Sequence, residues 1–457
     1  MRGVLLVVGS VLVGCYHPEA VPGAPCSTGG TCPTGLECRA GICELAGTDG
    51  SLDALVDAAI DACPVATCQD TWVVGCGAPV ACGHGCSEMG GAHCRVLVPS
   101  NGVTPDMLVG ATADVTANDW NFDTDDGEIR RGNTMLRTAG TGVIAGIGFE
   151  IRDGMGVFTA NSFRVAQFDD WDADGDNSLV LFAATTISVI GELDVGANGG
   201  VAGPGGSDAS AFTSGQNCRG KTGRFFSAGF GEGGGGGGGR TAGGNGGASN
   251  QAGATGAGGT LCSMFPTTLP LRGGAGGAHG GNSSLNSGGG GGGAVALVAM
   301  ESISVTGVVG APGAGGISGA SGTAPSGDGG GGGGGGGAVL LEAPSVVVSG
   351  ALTANGGGGA APFMVAGGRG MLASGSSAIG GVYTGPGGTA RGGRGGTGTL
   401  SPGNGTTYAE SDATPTVIIT RGGGGGGAAG RIEIRSATSM VGGTQSPMPT
   451  YADAVLE

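Results

Sequence analysis

Four aspartates at alternate positions form the pattern in this sequence that most clearly points to ligand chemistry. They are Asp170, Asp172, Asp174 and Asp176, with Gly175 between the last two. Calcium takes about six to eight oxygen ligands, and glycine permits the sharp turn that gathers them, so this spacing predicts a calcium-binding loop. The twelfth position of such a loop is Leu181 rather than glutamate, and Leu181 belongs to a predicted strand. A solvated turn without metal is therefore the favoured interpretation, and calcium is the alternative.

The first fifteen residues carry a pattern for export and lipid attachment. Arg2 precedes an apolar run from Val4 to Val13, which is too short to span a bilayer but suits a signal peptide. The following Leu-Val-Gly-Cys resembles the lipobox of bacterial lipoproteins, which implies cleavage before Cys15 and a lipid on its sulfur. Tyr16, instead of aspartate, favours the outer membrane. An ordinary signal peptide followed by a chance cysteine is the alternative.

Cysteine spacing predicts disulfides and therefore an oxidising compartment. Of 13 cysteines, those other than Cys15 fall into three even-numbered groups. The groups are Cys26, Cys32, Cys38 and Cys43; Cys63, Cys68, Cys76, Cys82, Cys86 and Cys94; and the pair Cys218 and Cys262. Because that pair stands alone in a long insert, we predict that Cys218 bonds to Cys262. His84 and His93 lie within the second group, so zinc binding is the alternative there.

Composition excludes several classes of protein. A net charge of -16 argues against a nucleic-acid partner, which would require a basic face. Glycine accounts for 113 of 457 residues without a three-residue period, so a collagen-like chain is excluded. Short blocks of valine, isoleucine and leucine separate the glycine tracts and provide enough apolar side chains for a narrow core.

A repeated unit of short apolar segments occupies most of the chain after residue 150. The first segments of the successive copies begin at Val157, Leu179, Val295, Val339 and Arg431. The offset between the two clearest copies is 295 − 179 = 116 residues, and it is kept by their second segments. A unit of this size cannot bury its own apolar face, so the units must stack. The sequence therefore predicts an all-β fold, a parallel β-solenoid or β-helix-like repeat domain.

Glycines take two roles in this predicted stack. Gly191, Gly307 and Gly350 follow equivalent segments and are expected at corners where a side chain would obstruct the bend. The polyglycine inserts at 233–239, 288–293, 329–337 and 422–427 are expected to form extended glycine helices packed side by side, since no side chain projects from them. Disorder of the tracts is the alternative, because glycine loses the most entropy on folding.

The predicted organisation has small disulfide-rich modules before the repeat domain. It comprises a signal peptide at 1–14, a lipidated tether with a four-cysteine module at 15–46, an acidic linker at 47–62, a six-cysteine module at 63–98 and a glycine-rich β-repeat domain at 99–457. The linker could form an apolar helix face or remain a solvated segment.

No catalytic residue is predicted. The histidines are not paired with a serine or carboxylate at a spacing that indicates catalysis. A polysaccharide-acting lyase or hydrolase on a β-helix scaffold is the alternative function, and it would need carboxylates at matching positions in adjacent repeat units. The nearest candidates, Glu192, Asp194, Glu301 and Glu342, do not align in sequence.

The repeats, the glycine tracts, the cysteine modules and the segments 98–102 and 122–126 together resemble glycine-rich, PGRS-like predicted surface lipoproteins of the myxobacterial type. The resemblance covers most of the chain and implies a surface location without a known activity. We therefore expect a lipid-anchored protein of the outer membrane or cell surface with a structural, adhesive or recognition role, not an enzyme. Its expected partners are the membrane, through the lipid, and a surface polysaccharide or protein, with no nucleic acid. No cofactor is expected, with calcium as the alternative.

Overall fold

The computed structural model describes residues 32, 36–39, 42–45, 66–75, 78–116, 119–209, 218–226, 230–249, 256–262, 271–281, 287–318, 329–411 and 418–457. The predicted signal peptide, Cys15 and the predicted linker at 47–62 lie outside these residues. The described chain divides into two compact units. One comprises the described residues up to Ala81 with Glu88–His93, and the other comprises Cys82–Ser87 with Cys94–Glu457.

Within the described ranges, all regular structure is β-strand apart from one short 3₁₀ helix at Pro105–Leu108. The strands before the repeats are β1 (Leu36–Arg39), β2 (Ile42–Leu45), β3 (Thr67–Gln69), β4 (Trp72–Val74), β5 (Val80–Ala81), β6 (Cys86–Ser87), β7 (His93–Cys94), β8 (Leu97–Val98), β9 (Asp114–Thr116), β10 (Asn121–Asp123), β11 (Ile129–Arg131), β12 (Thr134–Arg137), β13 (Gly142–Ile144) and β14 (Ile147–Arg152).

The repeat region contains the remaining strands. They are β15 (Met155–Ala160), β16 (Ser162–Val165), β17 (Asp170–Asp174), β18 (Ser178–Ala183), β19 (Thr186–Val189), β20 (Glu192–Asp194), β21 (Phe225–Phe226), β22 (Phe230–Gly231), β23 (Ala294–Ala299), β24 (Ser302–Val305), β25 (Val308–Gly310), β26 (Ala338–Glu342), β27 (Ser345–Val348), β28 (Ala351–Thr353), β29 (Val382–Gly385), β30 (Gly388–Arg391), β31 (Thr407–Ser411), β32 (Ile418–Gly422), β33 (Arg431–Arg435), β34 (Thr438–Val441), β35 (Thr444–Ser446), β36 (Thr450–Ala452) and β37 (Val455–Leu456).

Each repeat unit adds one strand to each of three largely parallel sheets. Sheet 1 has the order β13-β14-β15-β18-β23-β26-β33-β36, sheet 2 the order β34-β27-β24-β19-β16-β9, and sheet 3 the order β12-β11-β10-β17-β20-β25-β28-β35. Antiparallel hairpins, β11–β12 and β13–β14, end sheets 3 and 1 on the N-terminal side. The prediction of an all-β fold with stacked parallel strands is confirmed.

The strands pair in the register that the sequence repeat predicts. Leu179 lies opposite Val295 across sheet 1, and Val295 lies opposite Val339. In sheet 2, Ile187 lies opposite Ile303. Equivalent apolar side chains therefore stack directly on one another, and they form one continuous core between the sheets.

Sheet 1 is buried on both faces. Leu179 and Leu181 point into the core between the sheets, as their alternation predicts. Val180 and Phe182 point the other way, yet they are also buried, in a second apolar cluster. The residues that cover this outer face come from the N-terminal and C-terminal segments and from one insert: Leu97, Val103, Met107, Leu108, Leu271, Ala454 and Leu456.

The glycine tracts are ordered and lie in the interior. Every residue of tracts 233–239, 288–293, 329–337 and 422–427 is buried. Their backbone groups bond to neighbouring tracts and to the segments that return antiparallel beside them. The structure therefore agrees with packed glycine helices rather than with disorder.

A period of three residues governs these hydrogen bonds. Gly330, Gly333 and Gly336 donate to residues 422, 425 and 428, while Gly331 and Gly334 donate to residues 317 and 314 on another neighbour. Gly332 and Gly335 donate to a third neighbour, at residues 278 and 275. Three residues per turn is the repeat of the polyproline II helix, which has no internal hydrogen bonds and must bond to its neighbours.

Close backbone packing explains why these positions are glycine. A Cβ atom on any residue of 329–337 would lie within 3.0 Å of a neighbouring backbone atom, a distance that real Cβ atoms do not reach. The same holds at the predicted corners: a Cβ on Gly307 would meet the carbonyl of Gly191, and one on Gly350 would meet the carbonyl of Gly307. The prediction that the corner glycines avoid obstruction is confirmed.

The smaller unit contains two antiparallel sheets. β1 pairs with β2, and β3, β4 and β5 form a three-stranded sheet. Cys32, Cys38 and Cys68 of this unit are disulfide-bonded. Disulfides therefore occur in the described part of the predicted cysteine modules.

Candidate functional site

Five carboxylates share one outward face of sheet 3. They are Asp170, Asp172 and Asp174 on β17 and Glu192 and Asp194 on β20, and we call this set the acidic face. The two strands are parallel neighbours, and their register places Asp170 opposite Glu192 and Asp172 opposite Asp194. Trp171 and Leu193 alternate with them and point into the core.

The structure does not form the loop on which the calcium prediction relies, and calcium binding by these aspartates stays a prediction. Asp170, Asp172 and Asp174 are alternate residues of a strand, and the chain bends only after it, at 175–177, where Gly175 has a φ of 107°. A strand separates alternate side chains by about 6.6 Å instead of gathering them around one ion. Residues 170–174 are not a solvated turn either, because they form a strand whose Trp171 is fully buried in the core.

The described residues contain no group of three or more histidine, cysteine, aspartate or glutamate side chains placed to hold a metal ion. His93 directs Nδ1 at the carbonyl oxygen of Gly91, 2.7 Å away. Cys82, from the same predicted module, bonds to Cys94 in a disulfide.

The carboxylate pairs lie between this unit and the preceding one. Glu192 and Asp194 lie opposite Asp170 and Asp172 of the preceding unit, whereas in the following unit they face Val308 and Gly310. The signal was present in the sequence, since Asp-Trp-Asp and Glu-Leu-Asp share the alternation of an acidic outer face and an apolar inner face.

Glu342 lies outside the acidic face and has a structural role. It is 1% exposed on sheet 1, and its carboxylate accepts hydrogen bonds from the backbone N–H and the hydroxyl of Ser100 at 2.9–3.1 Å. Burial raises the pKa of Glu342, and the bonds from Ser100 oppose that rise. Glu342 thereby fixes the N-terminal segment that covers sheet 1.

Crowding raises the pKa of most carboxyls on the acidic face. Partial desolvation raises the pKa of Asp172 to about 6, and the nearby charges of Asp170 and Asp194 add to the effect. Desolvation followed by neighbouring carboxylates also raises the pKa values of Asp170, Asp174 and Glu192. The ionised forms therefore repel one another, and a proton or a bound cation would relieve that repulsion.

Asp194 differs from its neighbours because it has a cationic partner. Its side chain is 8% exposed, and Oδ2 lies 2.6 Å from Nη2 of Arg369. Oδ1 accepts a hydrogen bond of 2.8 Å from the backbone N–H of Gly196. Both contacts favour the ionised carboxylate. The acidic face thus combines Asp172, whose pKa is raised, with Asp194, which has a cationic partner.

The predicted disulfide is present in the structure. The sulfur atoms of Cys218 and Cys262 are 2.02 Å apart. Cys262 and Asp176, the fourth aspartate of the acidic run, line the same cavity of the larger unit. The structure thus brings Cys218, Cys262 and Asp176 together and places the other three aspartates on the acidic face.

No protein-family model, curated protein or solved structure matches this chain. Among the described residues, no helix is long and apolar enough to cross a membrane.

Proposed function

We propose that this chain is an exported, lipid-anchored protein of the outer membrane or cell surface, with a structural, adhesive or recognition role. In this proposal Cys15 carries the lipid and the disulfide-rich modules separate the membrane from the repeat domain. The three in-register sheets form the faces of a parallel β-solenoid of the PGRS-like surface-lipoprotein type.

The ordered glycine core is the observation that carries the proposal. Glycine tracts that bond to one another in three directions build a body from backbone hydrogen bonds, which needs few apolar side chains and leaves little freedom for hinge motion. Enclosing flexible glycine in such an array costs much conformational entropy. The resulting stiffness suits a protein displayed outside the cell, where disulfides also persist.

Labelling of cells tests the anchor and the location together. Radioactive palmitate should enter the wild-type protein and not Cys15→Ser, and protease added to intact cells should digest the wild-type chain. Label in Cys15→Ser, or protection of the wild-type chain until the cells are lysed, would contradict the proposal.

The acidic face favours a second candidate function, hydrolysis of a polysaccharide. Adjacent parallel strands lie about 4.8 Å apart, which brings Asp172 and Asp194 near the carboxyl separation of about 5–5.5 Å in retaining glycosidases. Asp172, with its raised pKa, would protonate the leaving oxygen while Asp194 attacks the anomeric carbon, and water would then hydrolyse the resulting glycosyl ester. The pair fits a hydrolase better than a lyase, because one carboxyl would act as the acid and the other as the nucleophile.

Release of reducing ends from acidic and neutral polysaccharides tests the second candidate. Asp172→Asn and Asp194→Asn should each lower the rate by at least about a hundredfold. Asp453→Asn, an exposed carboxylate outside the acidic face, serves as the matched control. Absence of turnover by the wild-type protein, or equal rates in all three variants, would exclude this activity.

A further inference from the structure

A cavity of about 570 Å³ opens beside the glycine array in the larger unit. Its wall includes three charged residues, Asp153, Asp176 and Arg272, and the disulfide between Cys218 and Cys262. Ligand pockets in proteins commonly measure about 300–1,000 Å³, so the cavity has the size for a small molecule.

Rigid elements hold the walls of this cavity. Asp153 and Gly154 both have positive φ, 51° and 77°, which is the tight hairpin turn between β14 and β15. Glycine is required at 205, because a Cβ there would collide with the hydroxyl of Ser178. The disulfide between Cys218 and Cys262 fixes the wall on another side. The described parts of the wall are therefore held in place by the fold itself.

The charged groups in the wall have no ion-pair partner in the described part of the chain. Asp153, Asp176 and Arg272 make no salt bridge there, although other charges of this unit do. The backbone N–H of Asp176 donates to Asp125 at 2.8 Å, which positions the residue and leaves its carboxylate for other contacts. Charges of both signs thus line one preformed space.

We propose that this cavity binds a small zwitterion, an amino acid or a short peptide. The ammonium group would contact the carboxylates of Asp153 and Asp176, and the carboxylate would contact the guanidinium of Arg272. Asp153, Asp176 and Arg272 are exposed to solvent, so a neutral sugar would gain no charge–charge contact there, whereas a zwitterion would contact both signs at once. This inference goes beyond the proposed surface role, and binding to the purified protein does not depend on the lipid anchor.

Isothermal titration of the purified protein tests the proposal with triglycine as the probe. N-acetyl-triglycine amide, which lacks both charges, and maltotriose, a neutral sugar, serve as the comparison ligands. Triglycine should bind saturably, and the other two should bind at least about tenfold more weakly. Equal binding of the uncharged peptide, preferential binding of maltotriose, or no saturable binding of triglycine would overturn the proposal.

Two variants locate the binding within the cavity. Arg272→Gln and Asp153→Asn should each weaken triglycine binding by about tenfold or more. Asp153→Asn keeps an Asn-Gly sequence, which suits the same turn, so this variant should retain the fold. Arg164→Gln and Asp453→Asn, exposed charges away from the cavity, should bind like the wild type. Unchanged binding in both cavity variants would also overturn the assignment.

Discussion

Asp172 lies directly opposite Asp194 on the neighbouring parallel strand, and the two carboxyls have opposite electrostatic surroundings. Desolvation and nearby carboxylates raise the pKa of Asp172 to about 6, while Asp194 has an ion pair with Arg369 at 2.6 Å. This asymmetry makes the stability of the protein depend on pH in a direction opposite to that of most salt-bridged carboxylates.

Replacing Asp172 with asparagine should stabilise the protein at neutral pH. The pKa of Asp172 is raised from an ordinary 3.8 to about 6, so the folded state binds this proton more tightly than the unfolded state. Stability therefore falls as the pH rises from about 4 to about 6. At pH 7 Asp172→Asn should raise the thermal midpoint by about 1–2 °C, and below pH 4 the difference should vanish.

Thermal scans at pH 3.5, 5 and 7 measure this effect. Asp453→Asn provides the control, since its carboxylate is exposed and lies outside the acidic face. A lower midpoint for Asp172→Asn at pH 7, with the control unchanged, would show that ionised Asp172 stabilises the fold.

Arg369→Gln should destabilise the protein through Asp194. The substitution leaves the Asp194 carboxylate, 8% exposed, with the Gly196 N–H as its remaining partner among the described residues, at a cost of about 1–2 kcal/mol at pH 7. Urea unfolding of Arg369→Gln, Asp194→Asn and the double variant measures the coupling. If the effects of the two single variants simply add, the ion pair contributes nothing to stability.

Gly334→Ala should be among the most destabilising substitutions in the chain. A Cβ at this position would lie against the carbonyl oxygen of Gly290, a backbone atom that cannot move aside without shifting a neighbouring tract. We expect a loss of about 3 kcal/mol or more in the free energy of unfolding. Gly83→Ala is the control, because a Cβ on Gly83 meets nothing within 4 Å. Equal stability of the two variants would argue against a packed tract.

Opening the bond between Cys218 and Cys262 should destabilise the folded protein. The bond closes a loop with a sequence separation of 44 residues, which corresponds to about 4 kcal/mol in the chain-entropy model. The double variant Cys218→Ser/Cys262→Ser should unfold at lower urea than the wild type. Peptide mapping of the unreduced protein should recover the two cysteines in one linked pair; a link from either to another cysteine would refute the assignment.

The sequence predicts those parts of the fold that depend on repetition. The stacking of Leu179 on Val295 follows from a constant offset between copies, and the glycine at 307 follows from its place after equivalent strands. The sequence does not predict the acidic face, because the local Asp-x-Asp-x-Asp-Gly pattern fits a loop as well as a strand. Only the pairing with the next strand distinguishes the two.

Long-range packing explains the other features that the sequence does not predict. Val180 and Phe182 are buried on the outer side of sheet 1 by residues more than 70 positions away in sequence, such as Leu97, and alternation within a strand cannot reveal such a cover. Arg137 is similarly unexpected: it is fully buried, and its guanidinium donates to backbone carbonyls that include those of Ile147 and Gly140. Those carbonyls meet only after the hairpins have folded.

The hydrogen bonding of the glycine tracts restricts the changes in tract length that the fold can accept. Each added residue turns the rest of a tract by a third of a turn, so one extra glycine between Gly330 and Gly336 would direct every later N–H at the wrong neighbour. Three extra glycines would restore the direction of each donor and lengthen the helix by one turn. Insertions into the glycine codons, which all begin with two guanines, would therefore be tolerated in steps of nine nucleotides, and steps of three, although they keep the reading frame, would be selected against.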